Sequence, residues 1–195
     1  MDKRRNTDTN DSSLTLLAIS GSLRRASYNS AMINALMTLS PMGVEIDVYR
    51  SMGALPLFNP DLEDKNVAEV TAFKQRLARA DGLIIASPEY AHGITGVLKN
   101  ALDWLVSGEE FVDIPVMLVN TSPRANHAQV ALKEVIRTMS GNIIDDAYVT
   151  VPLLGSALDA IGIVNNFEIS NKILSGLRIF CDSIRSGVLT TENYH

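Results

Sequence analysis

A single cysteine in 195 residues excludes an intrachain disulfide framework. Cys181 lies in the run Leu177-Arg178-Ile179-Phe180-Cys181, the setting of a small apolar core residue rather than of a nucleophile. Positive charge is also short, with 17 Lys and Arg against 22 Asp and Glu for a formal charge of −5, so the basic face that nucleic acid requires is missing. No apolar run approaches the roughly 20 residues that span a bilayer. The polar stretch from Met1 to Ser13 has no apolar segment of the signal-peptide kind and reads as a disordered leader before one domain over residues 14–195. These absences predict a cytoplasmic protein with no nucleic-acid and no membrane partner. Metal is not expected, because neither His92 nor His127 has a carboxylate, cysteine or further histidine at ligand spacing. Internal repeats and low-complexity tracts are absent as well.

What remains is an alternation of short apolar runs and amphipathic segments, the pattern of βαβ units around a parallel sheet. Strands are predicted over residues 14–20, 44–49, 82–87, 115–121 and 143–151, most too uniformly apolar for a half-exposed sheet, so helices should cover both faces. Helices are predicted over residues 29–39, 66–80, 97–106, 127–139 and 168–184. Five strands, each followed by a helix, give an α/β, flavodoxin-like domain with a five-stranded parallel sheet of order 2-1-3-4-5. Its ligands would sit beyond the carboxyl ends of the first and third strands.

The segment after the first strand, Gly21-Ser22-Leu23-Arg24-Arg25-Ala26-Ser27-Tyr28-Asn29-Ser30, carries the strongest chemical signal. Ser22, Ser27 and Ser30 offer hydroxyls, Arg24 and Arg25 offer charge, and the first turn of the next helix offers unpaired N–H groups at the positive end of its dipole. No Gly-Lys-Ser/Thr ending and no second and third glycine are present, so neither triphosphate nor dinucleotide signatures fit. One terminal phosphate, as in FMN, suits this cradle. Two further loops should converge on it. Ser87-Pro88-Glu89-Tyr90-Ala91-His92-Gly93-Ile94-Thr95-Gly96 has two glycines that let backbone approach a flat ligand, and Ser122-Pro123-Arg124-Ala125-Asn126-His127 follows the fourth strand.

The run Gly21 to Asn29, and Ser87-Pro88-Glu89-Tyr90 followed by Gly96-Val97-Leu98-Lys99-Asn100-Ala101-Leu102-Asp103-Trp104, resemble the phosphate and flavin loops of the NAD(P)H-dependent FMN reductases, a family that includes bacterial chromate, quinone and azobenzene reductases. The resemblance implies FMN with its phosphate on Ser22, Arg24, Ser27, Asn29 and Ser30. It also implies Pro88, Glu89 and Tyr90, with the backbone of Ala91 and His92, around the isoalloxazine. A homodimer or homotetramer packed around the 99–104 helix would follow. The third loop departs from the family's glycine-rich form: either Arg124 and His127 replace the lost backbone donors, with Arg124 meeting the flavin edge or a phosphate of the nicotinamide, or flavin binding and hydride access are weakened; Ser122 and Arg124 are the cofactor-binding residues expected from this loop.

The implied function is a flavoenzyme that takes electrons from NADPH or NADH and passes them to a small-molecule acceptor: a quinone, an azo compound, a metal oxyanion or free flavin. A flavodoxin-type electron carrier and a flavin-free binding protein with a degenerate site are the alternatives. Trp104 reads as core or subunit interface, Lys99 and Asp103 as an ion pair four residues apart, and the proline-bounded loop 55–61 either as a cover for a site or interface or as wholly structural.

Overall fold

The computed structural model describes residues 13–122 and 126–191. The leader expected before residue 14 therefore lies outside the described residues, Ser13 excepted. Strand β1 (Leu14–Ser20) pairs in parallel with β2 (Val44–Tyr49) on one side and β3 (Gly82–Ala86) on the other, and β3 pairs with β4 (Pro115–Asn120). The sheet order is β2-β1-β3-β4-β5, so the direction of winding reverses beside β1.

Period-two alternation splits the apolar residues of each strand between two cores. Leu16 and Ala18 pack with α1 (Tyr28–Thr38) and α6 (Phe167–Thr191) on one face. Leu17 and Ile19 pack on the other face with α2 (Ala68–Ala78), α3 (Gly96–Asp103) and α4 (Asn126–Thr138). All four of these β1 side chains are fully buried, as expected for a strand covered on both sides.

The fifth strand differs from the expected continuous run. It is two short pieces, β5 (Asn142–Ile143) and β6 (Val149–Thr150), both parallel to β4 and separated by a 3-10 turn at Asp145–Ala147. Two adjacent aspartates disfavour strand at that point, and the Asp145 carboxylate is drawn out to Lys133 and Arg137 of α4. That pairing holds the Asp145 carboxyl below the usual carboxylate range, the Lys133 bond being the main cause. A short helix, α5 (Ala160–Asn165), was not expected; Asp159 caps it by accepting from the Gly162 N–H at 2.8 Å. The last helix runs past the predicted 184 to Thr191.

Cys181 is buried in the α6 face of the core, and burial pushes its thiol above the ordinary value. This is the setting of an inert side chain. Trp104 is buried beneath the loop 55–60, where its Nε1 donates to the Pro56 carbonyl at 2.8 Å. Asn100 pins the same loop, donating to Pro56 O at 3.0 Å and accepting from the Phe58 N–H at 2.8 Å. Lys99 and Asp103 form an ion pair on α3. No helix among the described residues is long and apolar enough to cross a membrane.

Candidate functional site

The register pairs Ser20 with Ala86 and Ala86 with Val119, so β1, β3 and β4 end level and release their loops side by side. A cleft of about 320 Å³ opens there. The first loop and the start of α1 contribute Ser22, Arg24, Ser27 and Asn29, the second Pro88, Glu89 and Tyr90, and the third Ser122. Tyr28, Thr121 and Leu154 also line it, none of them expected; the Tyr28 hydroxyl accepts from the Ala157 N–H at 3.3 Å and so ties the segment carrying Leu154 to the site.

Four of the expected residues do not line this cleft. Ser30 turns away because one residue along a helix is a rotation of about 100°, and its Oγ lies 3.3 Å from Ser20 Oγ. Ala91 and His92 form the exposed tip of the second loop, both at positive φ (49° and 60°), in a turn closed by reciprocal backbone bonds between Tyr90 and Gly93. Arg25 faces a neighbouring cleft rather than the first. Arg124 lies outside the described residues.

Several of the polar groups that do converge also hold the loops in place. Ser27 caps α1, accepting from the Asn29 N–H at 3.2 Å, and Asn29 Oδ1 accepts from the Thr121 hydroxyl at 3.1 Å, which links the first loop to the end of β4. Ser22 Oγ accepts from the Arg24 N–H at 3.3 Å. At the joint between the first and second loops the buried Thr95 hydroxyl donates to Gly21 O at 2.7 Å and accepts from the Leu98 N–H at 3.3 Å, capping α3.

Gly21 permits this close approach, because a Cβ there would stand 2.3 Å from Ser87 Oγ and 2.8 Å from Ser87 Cβ. Gly21→Ala is expected to cost about 1–3 kcal/mol, the usual penalty for overpacking, and to lower the urea midpoint with little change in slope. A midpoint equal to that of the parent would show that the joint can yield.

Among the described residues, Glu89 supplies the cleft's only carboxylate. Its Oε2 accepts from the Ala128 N–H at 2.8 Å, in the first turn of α4, and its Oε1 lies 3.2 Å from His92 Nδ1. The His92 and His127 rings meet edge to face at 4.7 Å. The Ala128 N–H is the main reason that the Glu89 carboxyl is held below the usual carboxylate range, and the two histidines add to it against the opposing effect of burial.

The histidines were expected to stand without a carboxylate beside them; the fold brings Glu89 to His92 and, through ring contact, to His127. Glu89 and His92 are only three residues apart, but in a loop no periodicity reveals the pairing, and His127 arrives from a different strand. The described residues hold no group of three side chains placed to bind a metal ion.

A depressed native pKa stabilises the fold above the ordinary glutamate value of about 4.3, and the contribution is lost as pH falls through the lower native value. Glu89→Gln is therefore expected to be less stable than the parent at neutral pH, with the difference closing in acid. A gap in urea midpoint that stays constant from pH 7 down to acid would contradict the placement of this charge.

Residues 14–153 match the family model of the NADPH-dependent FMN reductases, a span that holds every strand of the sheet and all three loops. The chain belongs to this family. Among relatives it is 44% identical over 91 residues to a 2-hydroxy-1,4-benzoquinone reductase of Burkholderia sp, a match covering 47% of this chain and 49% of that protein. It is 31% identical over 113 residues to a quinone reductase of Escherichia coli K12, covering 56% and 60%. The matches thus span about half to three-fifths of these two relatives. An NAD(P)H-dependent FMN reductase of Pseudomonas aeruginosa is 32% identical over 155 residues, covering 76% of this chain and 83% of that one. Among solved structures, a flavoenzyme NAD(P)H:(acceptor) oxidoreductase of Paracoccus denitrificans superposes with a TM-score of 0.79 at 25% identity, covering 89% and 98%.

Proposed function

We propose that this family member is an NAD(P)H-dependent FMN enzyme that reduces quinones and related small acceptors, working in the cytoplasm as a homodimer or homotetramer. The observation that carries the reading is the cleft at the winding reversal, walled by three loops, whose one carboxylate is already engaged by the Ala128 N–H and His92. A phosphate entering it meets hydroxyls, the Arg24 guanidinium and the start of α1 without a free anion to oppose it. The donor set therefore fits FMN.

Ser22, Arg24, Ser27 and Asn29 would hold the phosphate, and Pro88, Glu89 and Tyr90 would border the ring system. FMN, when bound, supplies the two-electron chemistry between nicotinamide and acceptor. The chain's own part is binding and orientation. Tyr90, 57% exposed, presents an aromatic face at the mouth, while Glu89 fastens the second loop to α4 and so fixes the width of the slot.

The test is an absorption spectrum of the protein after incubation with excess FMN, followed by anaerobic mixing with NADPH. Retained flavin that bleaches on mixing supports the reading. Flavin that stays oxidised with both NADPH and NADH identifies an electron carrier, and absence of bound flavin identifies a flavin-free protein. Donor and acceptor must use one open cleft in turn, so initial-rate plots against a quinone are expected to be parallel lines. Intersecting lines would require both substrates bound together.

A further inference from the structure

A second cleft of about 610 Å³ lies on the far side of the phosphate loop and shares Ser22 and Arg24 with the first. Its walls follow from the sheet register. Ile19 pairs with Tyr49, so β1 and β2 end together and place the Ser20–Arg25 loop beside Arg50 and Met52, with α1 closing the third side. Arg24, Arg25 and Arg50 all line this cleft, and among the described residues no carboxylate does. Among the described residues none of the three arginines is in an ion pair with a carboxylate.

Three guanidinium groups gathered without a counter-charge among the described residues repel one another, in a chain whose net charge is −5. Arg50 is nonetheless oriented, its Nη2 donating to Asn34 Oδ1 of α1 at 3.1 Å, which leaves its other N–H groups for a ligand. Ser20 and Ser30 add paired hydroxyls. Leu23, 63% exposed, packs over Gly53 and, with Ile33, Val48 and Met52, gives the cleft an apolar side beside its cationic one. Guanidinium forks match phosphate oxygens, and the apolar side fits a nucleoside body.

We infer that the second cleft binds the phosphate-bearing adenosine part of a nucleotide, separately from the flavin phosphate. The chemistry is shared by two sources, the adenosine-phosphate half of the nicotinamide donor and a free nucleoside diphosphate. The site stands on its own residues. Only the first source rests on the function proposed above.

The experiment is calorimetric titration of the full chain, with FMN in excess, using 2′,5′-ADP and 5′-ADP as probes, on the parent, Arg50→Ala and Arg25→Ala. One equivalent of probe is expected to bind the parent, and each substitution is expected to weaken it at least tenfold while FMN affinity, measured by fluorescence quenching, stays within twofold. Binding of 2′,5′-ADP in preference to 5′-ADP, with a raised KM for NADPH in Arg50→Ala, identifies the nicotinamide donor as source. Binding of 5′-ADP with an unchanged KM identifies the free diphosphate. Probe binding in a protein that takes up no FMN leaves the second site standing and removes the flavin reading. The absence of binding to the parent by either probe, or affinities for both variants equal to the parent's, overturns the inference.

Discussion

Arg24→Ala is expected to weaken FMN binding by about 1.5–3 kcal/mol, the range for a hydrogen bond to a charged group, which corresponds to a dissociation constant raised about 10- to 150-fold. The side chain is exposed, and only the backbone N–H of Arg24 is bonded within the loop, to Ser22 Oγ. That bond survives truncation, so the loss should fall on the ligand and not on the fold. Arg24→Lys separates charge from shape. Lysine keeps the positive charge but loses the planar fork, and it should recover part of the affinity in a salt-sensitive way. An unchanged dissociation constant in Arg24→Ala would remove this residue from the site. Because Arg24 borders both clefts, the same variant should also weaken adenosine-phosphate binding, whereas Arg50→Ala should weaken that binding alone.

Strands β1 and β2 were legible to the residue, β1 as an apolar run buried on both faces and the edge strand β2 as an alternation of apolar Val44, Ile46 and Val48 with polar Glu45 and Asp47, each pattern being local and bounded by turn residues. The first two loops were legible for a related reason: Ser22, Arg24 and Asn29 stand close together in sequence, and Pro88 to Tyr90 follow directly on a buried strand. What escaped depends on register between distant segments. The Glu89–His92–His127 cluster needs β3 and β4 to end level, and the second cleft needs Arg50 delivered by β2 next to Arg25 from β1. The split of the fifth strand was signalled by Asp145-Asp146 inside an apolar run, but the outcome turned on Lys133 and Arg137 from α4 reaching that carboxylate. Helix α5, six residues long with Gly162 inside it, offers too few apolar positions for periodicity to register, and its Asp159 cap was its one readable mark. Ser30 shows the opposite failure, since a residue adjacent to a site in sequence was turned from it by helical geometry.

Trp104→Ala is expected to lower the stability of the fold itself by about 3–5 kcal/mol. The indole is buried to 2% exposure, stacks edge to face with Phe58 at 5.1 Å and donates to Pro56 O. Volume and hydrogen bond contribute unequally, and the geometry says which dominates. Pro56 O also accepts from Asn100 Nδ2 at 3.0 Å, so loss of the indole donor leaves that carbonyl satisfied and should cost only about 1 kcal/mol. Trp104→Phe, which removes the donor while filling most of the space, should therefore lie much nearer the parent than Trp104→Ala in urea midpoint. If the two variants are equally destabilised, the indole hydrogen bond and not the packing holds the loop. The cavity in Trp104→Ala should also loosen residues 55–60, whose remaining anchors to α3 are the two Asn100 bonds, and limited proteolysis should then cut that loop well before the parent is attacked. FMN affinity in the folded fraction should stay close to the parent value, because none of residues 55–60 and 104 lines the first cleft.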